Sequence, residues 1–97
     1  MSTLTADTML DERWELSASV ALRPEPFGAL AYHFGNRRLT FLKRPELVAV
    51  VRALAGAASV RAALEAAEVP AAQWPAYLAA LRGLATSDML RPGGGNT

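Results

Sequence analysis

Apolar residues recur at every second position through the stretch Phe27–Lys43, FGALAYHFGNRRLTFLK, which is typical of paired β-strands. Gly35 and Asn36 lie at its centre, and this residue pair favours a two-residue turn of type I′ or II′. Such a turn fixes which residues of the two strands face each other. The predicted pairs are Phe34 with Arg37, Tyr32 with Leu39 and Leu30 with Phe41.

In this register the large apolar side chains of both strands lie on one face of the hairpin, and a shift by one residue would mix them with the alanines. The other face is smaller and more polar. We therefore expect the large apolar face to be buried, since a sheet with one apolar face needs a covering layer. The side chains expected in the core include Leu30, Tyr32, Leu39, Phe41, Leu54 and Leu81.

Weak alternation over Trp14–Arg23 predicts a first strand, and the prolines at 24 and 26 predict a turn into the central hairpin. After Lys43 the apolar spacing changes from two to about 3.6, which indicates helices. The predicted helices begin at Pro45 and end near a C-cap at Gly56, begin after the N-cap Ser59, and run from about Ala71 to Thr86. Met89 and Leu90 are expected to pack on the core.

The predicted fold class is α+β, a three-stranded antiparallel meander followed by a three-helix layer. A chain of 97 residues is long enough for one small domain and too short for two separate cores. We place that domain at residues 14–90, with a flexible N-terminal arm at 1–13 and a flexible C-terminal tail at 91–97.

Composition adds few constraints on partners. The chain is 52% hydrophobic with a formal net charge of +1, so charge alone dictates neither a nucleic-acid nor a membrane partner. There is no cysteine, hence no disulfide or thiolate chemistry. The N-terminus has no signal-peptide pattern and no apolar run is long enough to cross a bilayer, so we expect a cytoplasmic protein.

Catalytic chemistry is not indicated. His33 is the single histidine, and acid–base catalysis or metal binding would need partners at defined spacing that the sequence does not supply. The serines have no histidine or lysine in a nucleophile pattern, and Ser59 is explained as a helix cap. We expect no enzyme activity, no cofactor and no metal.

The third strand, Arg37–Lys43, should have one unpaired edge, which can template the addition of another strand. Its basic residues could discourage self-pairing or attract an acidic peptide, and the residues alone leave both open. Two other functions also stay open: a small winged-helix DNA-binding regulator, suggested by three helices beside a hairpin with Arg37 and Arg38 near its tip, and a self-associating structural protein.

Two segments, RPEPFGALAYHFG and LTFLK, with the helices that follow, resemble the mycofactocin peptide chaperone family, MftB, which is related to the PqqD-like chaperones. The resemblance spans Leu16 to Pro92. It implies a RiPP recognition element, a winged-helix-like domain that is not an enzyme. Such a domain binds the leader of a ribosomally made precursor peptide and presents it to a radical SAM maturase.

The resemblance also implies where the peptide binds. The leader would add a strand to the third strand and lie in the cleft between that strand and the third helix. On this sequence the strand wall is Arg37, Arg38, Leu39, Thr40, Phe41, Leu42 and Lys43, and the helix wall is Tyr77, Leu78, Leu81, Arg82 and Leu84.

Overall fold

The computed structural model describes residues 9–93, which form five strands and three complete α-helices, with residues 9–11 also helical. The elements are β1 Trp14–Leu16, β2 Val20–Glu25, β3 Gly28–His33, β4 Leu39–Leu42, α1 Pro45–Leu54, α2 Val60–Ala66, α3 Trp74–Thr86 and β5 Leu90–Pro92, with a 3-10 turn at Ala71–Gln73. Strands β2, β3 and β4 form an antiparallel sheet in that order, and β1 pairs with β5 in a second sheet. The predicted α+β meander followed by three helices is confirmed.

Strands β3 and β4 pair in the predicted register, with Tyr32 opposite Leu39 and Leu30 opposite Phe41. On the other side of β3, Tyr32 is opposite Ala21 of β2, and Leu30 is opposite Arg23. Side chains that are opposite one another across three strands share a face of the sheet. The hairpin pattern in the sequence therefore fixed the strand alignment correctly.

The predicted two-residue turn is wrong. The ladder ends where the His33 N–H donates to the Arg38 carbonyl at 3.0 Å, so a four-residue turn joins the strands. Arg37, rather than Gly35, has the positive φ, 63°. The His33 Nδ1 accepts hydrogen bonds from the main-chain N–H groups of Gly35 and Asn36, at 2.9 and 3.1 Å. This side-chain acceptor stabilises the wider turn, because it satisfies two amides that have no strand partner.

The prediction of which sheet face is buried is also wrong. Ala29 and Ala31 are 0% and 1% exposed, whereas Leu39 and Phe41 are 57% and 56% exposed. Helix α1 packs on the alanine face, since small side chains let a helix approach a sheet closely. The large apolar residues of the hairpin lie on the opposite face, together with Phe27 and Phe34. We call this the outer sheet face, made of Phe27, Leu30, Tyr32, Phe34, Leu39 and Phe41.

The predicted first strand, Trp14–Arg23, is two strands in the structure. The chain turns at residues 17–19, and β1 pairs with β5, 76 residues away in the Glu15–Arg91 pair. The β1–β2 loop is held to the segment between α3 and β5 by a 2.8 Å bond from the Ser17 N–H to the Met89 carbonyl. Strand β2 then continues through Pro24 to Glu25, and the chain turns at Pro26 and Phe27 into the hairpin, as the prolines predicted, although Pro24 itself does not end the strand.

Parts of the predicted arm and tail lie in the described chain. Residues 9–11 are helical, and Met9 and Leu10 are buried. Asp11 accepts a 3.0 Å bond from Arg61 of α2. Arg91 lies in β5. The division into an arm at 1–13, a domain at 14–90 and a tail at 91–97 stays a prediction, and residues 1–8 and 94–97 lie outside the described part of the chain.

Helix boundaries follow local chemistry. The Ser59 hydroxyl oxygen accepts from the Ala62 N–H at 3.1 Å, which confirms the predicted N-cap. Gly56 does not have a positive φ, so the predicted left-handed C-cap is wrong. Met89 and Leu90 are buried after α3, as expected. Within residues 9–93, none of the helices has the length and apolar content that crossing a bilayer requires.

Candidate functional site

Strand β4 has one open edge. In the described part of the chain, its hydrogen-bonded neighbour is β3 alone. The bond between His33 and Arg38 sets the alternation of the ladder, so Thr40 and Leu42 also direct their main-chain groups toward β3. The N–H and C=O groups of Leu39 and Phe41 therefore point outward. These two residues offer two donors and two acceptors to an added strand.

The edge of β2 is less open. A 2.8 Å bond from the Phe34 N–H to the Ser19 carbonyl shows which residues of β2 bond to β3. Because every second residue of a strand points to the same neighbour, the main-chain groups of Val20, Leu22 and Pro24 point away from β3. Pro24 has no N–H, and the Val20 N–H already donates to the preceding loop at 3.0 Å. Leu22 is left as the one outward donor on this strand. Strand addition is therefore favoured at β4 over β2.

A cleft of about 280 Å³ lies between β4 and α3, with the start of α1 at its base. Most of its lining is apolar, and the helix wall is made of alanines spaced four residues apart, which place small side chains on one side of α3. Small residues leave room for the side chains of a bound chain. The lining residues are Phe41, Lys43, Arg44, Leu47, Ala76, Tyr77 and Ala80.

The cleft carries positive charge. Lys43 and Arg44 line it, and its described lining includes no carboxylate. The Arg44 guanidinium carbon lies 6.0 Å from the centroid of the Tyr77 ring, a cation–π distance that orients the arginine along the wall. An acidic side chain in a bound peptide would find two cations here.

The structure brings together three of the residues that the sequence assigned to the site: Phe41 and Lys43 on β4, and Tyr77 on α3. Leu39 lies on the outer sheet face, while Thr40 and Arg82 are partly buried. Arg37 and Arg38 are exposed at the β3–β4 turn, beyond the cleft. The remaining assigned residues are core residues that do not line the cleft: Leu42, Leu78, Leu81 and Leu84.

Sequence reasoning missed four lining residues, which are Arg44, Leu47, Ala76 and Ala80. The apolar period of α3 points to Leu78, Leu81 and Leu84, and the structure buries that stripe in the core, with Tyr77 at the border between the core and the cleft. The cleft is lined by the neighbouring stripe. The sequence signal that could have identified this wall is a pair of alanines four residues apart. They lie beside the core stripe of a helix, and that helix borders a free strand edge.

The described residues that line this cleft include neither a histidine nor a serine. His33 is engaged in the β3–β4 turn. Among residues 9–93, no group of three or more His, Asp or Glu side chains could hold a metal ion. The geometry is that of a binding surface made of a strand edge, an apolar cleft and two cations.

Comparisons with known proteins agree with this geometry. Residues 13–91 match the model of the peptide chaperone MftB family. The peptide chaperone MftB of Mycobacterium ulcerans is 55% identical over 82 residues, 84% of this chain and 75% of the relative. The MftB protein of Mycolicibacterium smegmatis is 50% identical over 96 residues, 96% of this chain and 94% of the relative.

The MftB protein of Mycobacterium tuberculosis is 50% identical over 82 residues, 84% of this chain and 75% of the relative. No solved structure matches the chain. The family is one of peptide chaperones and not of enzymes. With a family model that covers most of the chain and relatives at half identity or better, this protein belongs to the peptide chaperone MftB family.

Proposed function

We propose that this protein binds the leader segment of the mycofactocin precursor peptide by strand addition along β4 and presents the peptide to a radical SAM maturase in the cytoplasm. The observation that supports this most strongly is the outward-facing main chain of Leu39 and Phe41 beside the cleft. An extended peptide gains main-chain hydrogen bonds from such an edge, and its alternate side chains enter the adjacent cleft.

Main-chain pairing alone gives weak binding. Each edge hydrogen bond contributes about 0.5–1.5 kcal/mol net, and ordering a disordered peptide costs about 2–5 kcal/mol. Affinity and selectivity must then come from side chains of the peptide. Apolar leader residues fit the cleft between Phe41 and the alanines of α3, and acidic ones are attracted by Lys43 and Arg44.

The DNA-binding alternative gains no support from the structure. Helix α3 contains one basic residue, Arg82, which is partly buried. A helix that enters the major groove needs several basic or hydrogen-bonding side chains on its exposed face. The edge of β4 likewise gives no particular reason for self-association, since Lys43 follows its last residue and a basic strand end opposes edge-to-edge pairing of two copies.

The test is a titration of the 15N-labelled protein with a synthetic leader segment of a mycofactocin precursor peptide. We expect the largest amide shifts at Leu39, Phe41 and Lys43, together with Ala76 and Ala80 across the cleft. The outward amides of Leu39 and Phe41 should also become protected from hydrogen exchange, because they gain a partner.

The edge of β2 provides an internal control. The Leu22 amide also points outward and should keep its exchange rate when the peptide binds. Slower hydrogen exchange at the Leu22 amide, with unchanged exchange rates at Leu39 and Phe41, would show that the peptide adds to β2 and would contradict the proposal. Shifts confined to β1 and β5 would contradict it as well.

A further inference from the structure

The outer sheet face is an apolar surface that the described residues, 9–93, leave largely exposed. Phe34, Leu39 and Phe41 are 60%, 57% and 56% exposed, and Phe27 is 41% exposed. Their rings pack on one another: Phe27 on Phe41 at 5.8 Å, and Phe34 on Tyr32 at 5.2 Å between centroids. Antiparallel sheets that face water normally carry polar side chains on that face. A contiguous apolar patch here marks an interaction site.

The size of this patch indicates a transient partner. A phenylalanine or tyrosine has about 150–250 Å² of side-chain surface, so the exposed part of the face is roughly 400 Å². A stable interface buries about 800 Å² on each partner, and permanent homodimers bury more. The outer sheet face alone is too small for a permanent homodimer, and it matches the apolar centre of an interface that forms and dissociates.

The charges around the patch select the chemistry of the partner. Glu25 is already paired with Arg23 at 3.6 Å, while Lys43 has no ion-pair partner among the described residues. Lys43 follows Leu39 and Phe41 at the same alternation, so it lies where the outer sheet face meets the cleft, which it also lines. A second copy would bring the same positive rim, whereas a surface with carboxylates at its border complements it.

The face is continuous with the peptide-binding edge. Side chains along a strand alternate between the two faces of a sheet, and the same holds for a strand added to β4. Half of the added side chains would point toward the α3 wall of the cleft. The other half would lie beside Leu39 and Phe41 on the outer sheet face, where Phe41 also forms the border of the cleft. A bound peptide therefore enlarges this face and becomes part of it.

We infer that the outer sheet face is the docking surface for the enzyme that receives the peptide, through an apolar patch on that enzyme bordered by carboxylates. This inference rests on the proposed function, because it takes the receiving enzyme to be the radical SAM maturase. The loaded chaperone presents a larger apolar surface than the empty one, so the enzyme binds the loaded form more tightly.

The test uses two substitutions on the central strand, Leu30→Lys and Tyr32→Lys. Strand β3 is hydrogen-bonded on both sides, so these changes leave the edge of β4 intact. The probe is a purified radical SAM maturase of mycofactocin biosynthesis, with and without saturating leader peptide. Each substitution should weaken maturase binding about tenfold or more, while leader affinity changes less than about twofold.

Ala49→Lys is the matched control, because it adds the same charge at an exposed position of α1. It should leave both affinities and the melting temperature unchanged. Unchanged maturase affinity in Leu30→Lys and Tyr32→Lys would overturn the inference. So would concentration-dependent dimerisation of the unmodified protein that Leu30→Lys abolishes, since a second copy would then occupy the face.

The two proposals fail in different ways. If the leader does not bind the unmodified protein, strand addition is refuted, and the maturase measurements made without leader still decide the role of the outer sheet face. If the leader binds normally and the maturase is indifferent to both lysine substitutions, the face is refuted and strand addition stands.

Discussion

The side-chain Nδ2 of Asn36 donates a hydrogen bond to the main-chain carbonyl of Ser87 at 3.2 Å, joining two residues 51 positions apart. The same side chain accepts from the Arg38 N–H through Oδ1 at 2.9 Å. Asn36 lies in the turn that precedes β4, and Ser87 is the C-cap of α3. One amide side chain therefore joins the turn before β4 to the C-terminal end of α3, the two elements that form the walls of the cleft.

Asn36→Asp should weaken leader binding severalfold with a small loss of stability. The aspartate keeps the acceptor for Arg38 but replaces the donor to Ser87 with an oxygen that the carbonyl repels. Loss of one exposed hydrogen bond costs about 0.5–1.5 kcal/mol of unfolding free energy. Fluorescence anisotropy gives the affinity and thermal denaturation gives the stability.

Arg37→Ala is the control for Asn36→Asp, since it alters an exposed residue of the same turn that makes no side-chain hydrogen bond in the described structure. Its leader affinity should stay closer to that of the unmodified protein. Equal affinity of Asn36→Asp and the unmodified protein would show that the Asn36–Ser87 bond does not set the cleft.

The register of the hairpin could be predicted from sequence, but its buried face could not. Alternation and a Gly-Asn pair fix which residues oppose each other, and a wider turn with the same centre leaves that alignment unchanged. Side-chain size predicts that the face with the larger apolar residues is buried. The helix instead packs on Ala29 and Ala31, because apolar size alone does not decide which face a neighbouring element covers.

The remaining differences are of longer range. Strands β1 and β5 have three residues each, which is too short for a clear apolar alternation. Their pairing depends on the whole intervening fold, so no local sequence pattern predicts it. On α3 the apolar period identifies the core stripe correctly. The cleft is lined by Ala76 and Ala80 on the adjacent stripe, where alanine gives no distinctive signal until the position of β4 is known.

Leu39→Pro tests the main-chain edge directly. Proline removes the outward N–H of Leu39 and should weaken leader binding about tenfold, since it deletes one edge hydrogen bond and obstructs the approach of the added strand. Isothermal calorimetry measures the affinity. Proline at Thr40 is not an equivalent test, because its N–H faces β3 and its loss would disrupt the sheet.

Leu39→Ala separates the main chain from the side chain. It keeps the N–H and removes most of a side chain that lies on the outer sheet face, outside the cleft. Its leader affinity should change less than that of Leu39→Pro, with both proteins shown to be folded by circular dichroism. Equal losses in the two variants would indicate that the side chain, and not the edge amide, contacts the peptide.

Ala80→Leu should fill the cleft and weaken leader binding about tenfold without unfolding the protein. Alanine and leucine both favour helices, so α3 should keep its structure. The extra carbon atoms would occupy space that the peptide side chains need. The measurement is the dissociation constant for the synthetic leader.

Ala79→Leu is the matched control, because Ala79 is exposed on the same helix and does not line the cleft. It should bind the leader with unchanged affinity. A similar loss of leader affinity in Ala79→Leu and Ala80→Leu would show that the leader does not bind in the cleft.

Gly28→Ala should destabilise the hairpin on which both proposed surfaces are built. Gly28 has a φ of +153°, and a Cβ there would collide with the carbonyl oxygen of Leu42 in β4. Backbone strain of this kind costs about 1–3 kcal/mol, and the collision with β4 adds to it. Gly83→Ala is the control, since a Cβ at this helical position meets no atom within 4 Å and should raise stability by about 0.5–1 kcal/mol. Urea denaturation measures both changes, and a Gly28→Ala protein as stable as Gly83→Ala would show that β3 and β4 do not approach each other this closely.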